Sequence, residues 1–294
     1  MNLVLDQVGK IYSRREWVVH DFSLELNSGI LGLLGPKDAG KTALMLMLAT
    51  ITKPTKGKVS WNGDDIHESP SHLRQMLGYI PEPFDVPPML TALEFLHYIA
   101  ALRELDRKAA VRRIDELLQL VELTDHRKQL LGEYSREMKL RLAVAQAFLN
   151  YPNLILIDEP TGGLEPEGRE RFRQLLRRMI SKQLVIVAAS NVLDLEGLTT
   201  DIAVIIRGSL LNRATPDDLK RSVQGKVWEW VIPVGDLGGA QEQFWVFRSV
   251  VQEDKVRVRA ISPVSPGGDA RPVEPTLEDA LQYYVSKTKS IEGE

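Results

Sequence analysis

The sequence predicts a mixed α/β core with a helical insertion and a small β-rich domain at its C-terminal end. Three observations carry this. An apolar run, Ile30-Leu31-Gly32-Leu33-Leu34, ends in a glycine-containing loop and passes into a helix-compatible stretch over residues 42–50. Further apolar strand-like runs at 154–157 and 184–188 are separated by helical periodicity, as in layered α/β folds. Beyond Val223 the pattern changes to short segments of strict alternation.

Residues 3–8 and 18–26 read as strands, the second placing Phe22, Leu24 and Leu26 on one face. Residues 58–61 followed by Asn62-Gly63 read as a strand closing in a turn. The stretch 81–88 is proline-rich and irregular. Leu93, Leu96, Ile99 and Ala100 then share one face of a helix. Val111, Ile114, Leu117 and Leu118 share that of a second, with Asp106 as its N-cap. A third spans 135–150 with Leu142, Ala145 and Leu149 as its stripe.

A long helix over 167–182 is expected to bury Phe172, Leu175, Leu176 and Met179. Residues 202–206 and 210–212 form a hairpin around Arg207-Gly208. In the tail, Trp228, Trp230 and Ile232 alternate, as do Trp245 and Phe247, then Val256, Val258 and Ala260. The proline- and glycine-rich stretch 262–275 is expected to be mobile. A closing helix over 276–287 has Thr276 as cap and Glu278 and Asp279 in its first turn. The predicted division is 1–222, with a helical subdomain at about 85–150, and 223–294.

Composition narrows the function classes. With 294 residues, 44% hydrophobic and 26% charged, the chain has the make-up of a soluble protein with a sizeable core. A net charge of -3 gives no global reason to bind nucleic acid. The absence of cysteine excludes disulfides, thiolate metal sites and cysteine nucleophiles, and fits a reducing cytosol. The first residues do not read as a signal peptide, and no apolar stretch is long enough to span a bilayer. A membrane role is therefore expected through a partner chain.

Two motifs carry chemistry. Gly35-Pro36-Lys37-Asp38-Ala39-Gly40-Lys41-Thr42 fits G-x-x-x-x-G-K-[ST], the Walker A phosphate loop. Its glycines let backbone N–H groups wrap phosphates at a helix N-terminus. Lys41 is positioned to reach the β- and γ-phosphates of ATP, and Thr42 to ligate Mg²⁺. The second motif, Leu154-Ile155-Leu156-Ile157-Asp158-Glu159, is a buried strand ending in two carboxylates, as in Walker B. Asp158 is the expected Mg²⁺ partner and Glu159 the catalytic group that polarises the attacking water.

In order and spacing the chain resembles the ATP-binding cassette (ABC) family over residues 2–221, continuing through Thr161-Gly162-Gly163-Leu164-Glu165-Pro166. The ending Glu274-Pro275-Thr276-Leu277-Glu278-Asp279-Ala280 resembles its exporter subclass. The resemblance implies a P-loop NTPase core of ABC type and an ATP-binding subunit that powers an integral membrane permease. It further implies a second nucleotide-binding subunit facing the first, and a location on the cytoplasmic face of the membrane. Tyr12 falls where the family stacks an aromatic ring on adenine, a core tyrosine being the alternative. Glu82 falls at the loop position where the family usually has glutamine, as nucleotide and metal ligand. Ser135 falls where the family presents a signature serine to the opposite subunit's nucleotide.

The chain departs from the family at several of these positions. Asp38 replaces a usual glycine, and Ala43 a hydroxyl residue. Arg136 and Glu137 replace the two signature glycines; Glu137 is expected to bring negative charge near phosphate, and Arg136 to contact phosphate or solvent. Ser190 stands where the family has a histidine that senses the γ-phosphate, and Glu165 where it has aspartate. Two readings follow: a working ATPase powering export, or an ATP-binding switch with little turnover. A soluble cassette acting on ribosomes or cofactor assembly is a third, disfavoured by the exporter-like tail. Arg169, Arg171, Arg173, Arg177 and Arg178 read as a solvated helix face rather than a nucleic-acid surface, and the tail tryptophans as core.

Overall fold

The computed structural model describes residues 1–12 and 16–290. The chain opens with β1 (Leu3–Ile11), β2 (Trp17–Leu26), β3 (Ile30–Leu34), α1 (Lys41–Leu48), β4 (Lys56–Trp61), β5 (Asp64–Asp65), α2 (Pro70–Gln75) and β6 (Leu77–Ile80). Three helices follow: α3 (Ala92–Leu102), α4 (Arg107–Leu120) and α5 (Arg136–Ala147). Then come β7 (Leu154–Asp158), α6 (Pro166–Met179), β8 (Leu184–Ala189), β9 (Asp201–Ile206), β10 (Ser209–Ala214) and α7 (Pro216–Ser222). The last stretch adds β11 (Val227–Pro233), α8 (Leu237–Gln243), β12 (Trp245–Gln252), β13 (Lys255–Ile261), β14 (Arg271–Pro272) and α9 (Leu277–Ser290). No helix among the described residues is long and apolar enough to cross a membrane.

The central sheet has the order β10-β9-β3-β8-β7-β6, parallel except for β10. Parallel strands covered on both faces have to be apolar at every position, and β7 and β8 are buried throughout. Alternation sends Leu154, Leu156, Leu184 and Ile186 into one core and Ile155, Ile157, Val185 and Val187 into the other. The first core is closed by the antiparallel sheet β2-β1-β4-β5, and its apolar cluster takes in α1. Such enclosure demands a helix that is apolar on most sides. α1 meets this with Ala43, Leu44, Met45, Met47 and Leu48, and buries Lys41 with them.

The second core takes in α3, α4, α5 and α6. A capping box of Thr91 and Glu94 starts α3, while Asp106 caps α4 and Ser135 caps α5. Val111 departs from the predicted stripe. It is 44% exposed, because α4 buries Ala110, Ile114, Leu117 and Leu118, a stripe one residue off its position. Phe95 joins Leu96 and Ala100 on the buried side of α3, and Met179 at the end of α6 is half-buried. The short helices α2, α7 and α8 had no periodic signal long enough to read.

Parallel register positions the site. Leu34 lies opposite Ala189, Asp158 opposite Ala188, and Ile80 opposite Ile157. The segments that leave β6, β3, β7 and β8 therefore emerge along one edge, where α/β sheets commonly bind ligands.

The tail forms a third sheet, β12-β13-β11-β14, antiparallel throughout. Trp228 and Trp230 pair with Ala260 and Val258 and are half-buried rather than true core. Part of the proline-rich stretch supplies β14, which pairs with β11. At the start of α9, Thr276 and Asp279 cap each other: each backbone N–H donates to the other's side chain. The apolar core continues into this third sheet and α9. Val223, Val227, Ile261, Leu277, Ala280 and Leu281 share one buried cluster with Val192 and Leu195, which follow β8.

Candidate functional site

The loop of residues 35–40 is held by close backbone approach. A Cβ on Gly35 would lie 2.1 Å from the Ile205 carbonyl oxygen, and one on Gly40 2.4 Å from that of Val18. Gly40 caps α1 with φ +95°, and no side chain covers the helix's first amides. A bare helix N-terminus of this kind attracts anions. Asp38 also has positive φ, at 64°, a region where a non-glycine residue is strained. The glycine expected there thus has a backbone reason, beyond avoiding charge.

Lys41 is buried and held by four oxygens. It donates to the carbonyls of Gly35 at 2.9 Å and Pro36 at 2.8 Å, and to Ser190 Oγ at 2.9 Å, and it pairs with Glu159 Oε1 at 3.0 Å. Glu159 is held as closely. Its Oε2 accepts from the Ser190 backbone N–H at 2.9 Å, and its Oε1 from the Ser190 hydroxyl at 2.5 Å. Ser190 thus lies between the phosphate-loop lysine and the expected catalytic carboxylate, engaging both.

Asp158 is treated differently. It is 0% exposed, and neither carboxylate oxygen has a hydrogen-bond partner among the described residues. Burial pushes its carboxyl up to about 6; the nearby Thr42 hydroxyl opposes this, and the charge of Glu159 adds to it. An open, buried carboxylate beside a hydroxyl is a hard-oxygen donor set of the kind Mg²⁺ prefers, so the residues present fit that ion.

Ser135 accepts from the Met138 backbone N–H as the cap of α5. The two residues after it are paired within their own chain. Arg136 donates to Glu82 Oε1 at 3.0 Å, so it meets a carboxylate of its own chain, and lies close against Gly163. Glu137 is engaged on α5 and α6: Arg141 donates to its Oε1 at 2.6 Å and Arg171 to its Oε2 at 3.1 Å. Its charge is thereby compensated by two guanidinium groups, the first a favourable i,i+4 pair.

Tyr12 is 43% exposed at the end of β1, with Lys10 Nζ 5.3 Å from its ring centroid, so it is not a core tyrosine. Trp17, passed over in the sequence, is a second exposed aromatic, at the start of β2. It pairs with Ile11 and precedes Val18, whose carbonyl approaches Gly40. A strand-edge aromatic next to the phosphate loop was the signal available.

The arginines of α6 are partnered rather than merely solvated. Arg169 donates to the Leu164 carbonyl, Arg173 to that of Leu193, and Arg177 to that of Gly197; Arg178 pairs with Glu122. Thr161, fully buried, donates to Asp194, tying the segment after β7 to that after β8.

The profile of the family described as ABC transporter matches residues 19–162. An uncharacterized ABC transporter ATP-binding protein of Nostoc sp. is 36% identical over 234 residues, covering 76% of this chain and 69% of its own. The bacitracin transport ATP-binding protein BcrA of Bacillus licheniformis is 34% identical over 215 residues, covering 72% and 69%. Among solved structures, the ATP-binding subunit of an ABC transporter superposes with a TM-score of 0.65 at 24% identity, over 76% of this chain and 93% of that one. A dimeric bacterial ABC transporter cassette gives 0.65 at 22% identity, over 72% and 98%. At those identities the superpositions speak to the fold.

Proposed function

The chain belongs to the ABC transporter ATP-binding proteins, and we propose on that premise that it couples ATP binding and hydrolysis to export by a separate membrane subunit. What carries the reading is the meeting of residues 35–42, Asp158, Glu159 and Ser190 at one sheet edge. In it, backbone N–H groups of the loop at residues 37–43 cradle the phosphates and Lys41 turns from its carbonyl partners to the β- and γ-oxygens. Tyr12 lies against adenine. Ser135 serves the nucleotide of a facing second cassette, identical or not. The permease docks near residues 81–94, where Met89 is 77% exposed, which keeps the chain peripheral on the inner face of the membrane.

The family implies Mg²⁺. Thr42 and Asp158 would hold it, with Glu82 as a further donor once released from Arg136. When bound it neutralises charge on the phosphate oxygens. Among the described residues no three acidic or histidine side chains group to hold a metal by themselves. Glu159 orients the attacking water and takes its proton, for which it has to leave Ser190 and Lys41.

That last requirement favours a second reading, a switch that binds ATP with little turnover, since both oxygens of Glu159 are already engaged. ATP hydrolysis by the purified chain, measured beside Glu159→Gln with nucleotide affinity in parallel, decides between them. Turnover abolished in the variant supports the ATPase. Tight Mg-ATP binding with no turnover above the variant supports the switch, and no ATP binding overturns both.

A further inference from the structure

Away from this edge, α8, α9, the start of β12 and the end of β13 border an open cleft of about 800 Å³ beside Lys226, within the volume range of small-molecule sites. One wall is apolar, formed by Phe244, Trp245 and Ile261. The same cleft is lined by two cations that share one ring: Lys226 Nζ and Lys287 Nζ each lie 4.6 Å from the centroid of Tyr283. Lys226 also donates to the Ser222 carbonyl at 2.8 Å and reaches the Tyr283 phenol oxygen at 3.4 Å. Lys287, chiefly, holds that phenol below its ordinary range.

An anion bound beside the ring would gain the attraction of both ammonium groups. Among the lining residues only Glu242 opposes them. The cleft of about 510 Å³ between α4, α5 and α6 makes the contrast: its Arg141, Arg171 and Arg178 are already paired with Glu122 and Glu137.

We propose that the α9 cleft binds an amphipathic anion, a carboxylate or phosphate head on Lys226 and Lys287 with its acyl or aromatic body along Trp245 and Ile261. The head can come from a free amphiphile or from a membrane lipid. This is independent of nucleotide binding.

The test is calorimetric titration of the full chain with decanoate, beside Lys287→Glu and Lys287→Gln. Lys287 is exposed near the end of α9, and circular dichroism checks that both variants stay folded. Saturable binding is expected, weakened about tenfold by Lys287→Gln and more by Lys287→Glu, the scale of one charged hydrogen bond. In parallel, co-sedimentation with phosphatidylcholine vesicles, with and without phosphatidylglycerol, separates the sources. Lysine-dependent binding only to anionic vesicles assigns the head to a membrane lipid; decanoate binding without sedimentation assigns it to a free amphiphile. Neither form of binding, or binding indifferent to both Lys287 variants, overturns the proposal.

Discussion

Charge is buried in two regions of this molecule on opposite terms. At the sheet edge, Asp158 is sealed from solvent with both oxygens open, and Lys41 is held by loop carbonyls and Ser190. At the seam between the third sheet and α9, Arg259 donates to both oxygens of Asp279 at 2.8 and 2.6 Å, to Glu229 at 2.5 Å and to the Glu274 carbonyl at 3.2 Å. Asp279 is 1% exposed and completes the cap of α9 through Thr276. A saturated network of this kind holds structure together. An unsatisfied carboxylate costs free energy in the resting fold, and that cost is recovered when a cation arrives.

The contrast breaks first at the seam. Asp279→Ala removes the main partner of half-buried Arg259 and the cap at the start of α9, leaving Arg259 with Glu229, so urea denaturation should show a loss of about 2–3 kcal/mol, with ATP binding unchanged in what stays folded. A loss of only a few tenths would place the seam among ordinary surface pairs.

Asp158→Asn should act in the other direction. The folded carboxyl, at about 6, lies above its ordinary 3.8. Wild type therefore carries a cost that is full above pH 6 and vanishes as pH falls toward 4. The variant should gain up to about 3 kcal/mol at pH 8, a gain that fades on acidification, while losing the stabilisation that Mg-ATP confers. Unfolding curves at the two pH values, with and without Mg-ATP, check this. A variant destabilised at both would mean that Asp158 is satisfied by groups other than a cation.

Two smaller effects sharpen the site. Ser190→His offers a charged contact where the hydroxyl now engages Glu159, and steady-state turnover should rise by on the order of 10². No rise would place the limit at Arg136 and Glu137 instead. Asp38→Gly relieves a positive-φ residue and removes a negative charge, and should add about 1 kcal/mol to stability. Titration with a fluorescent ATP analogue should also show severalfold tighter binding.

Much of the site could be read from short stretches. The loop of residues 35–40 sits between β3 and α1 as its strand–glycine–helix pattern required, and β7 ends in Asp158 as its apolar run required. Asp106, Ser135 and Thr276 cap their helices because capping depends on residues within one turn. Of the predicted α4 stripe, Ile114, Leu117 and Leu118 are buried as read, and only Val111 was misplaced, since Ala110 takes the buried position at that turn.

By itself, then, the sequence determined the longer strands and helices, the phosphate-loop and carboxylate positions, and the caps, since each follows from backbone geometry a few residues long, but not β6 or the short helices α2, α7 and α8. Tertiary structure alone decided what those groups touch. Arg136 meets Glu82 across 54 residues, Ser190 meets Glu159 across 31, and Arg259 meets Asp279 across 20. Such pairings are set by strand register and by which core each helix packs into. No spacing along the chain encodes them, so whether a buried charge is satisfied or left open emerges only once the sheets are assembled.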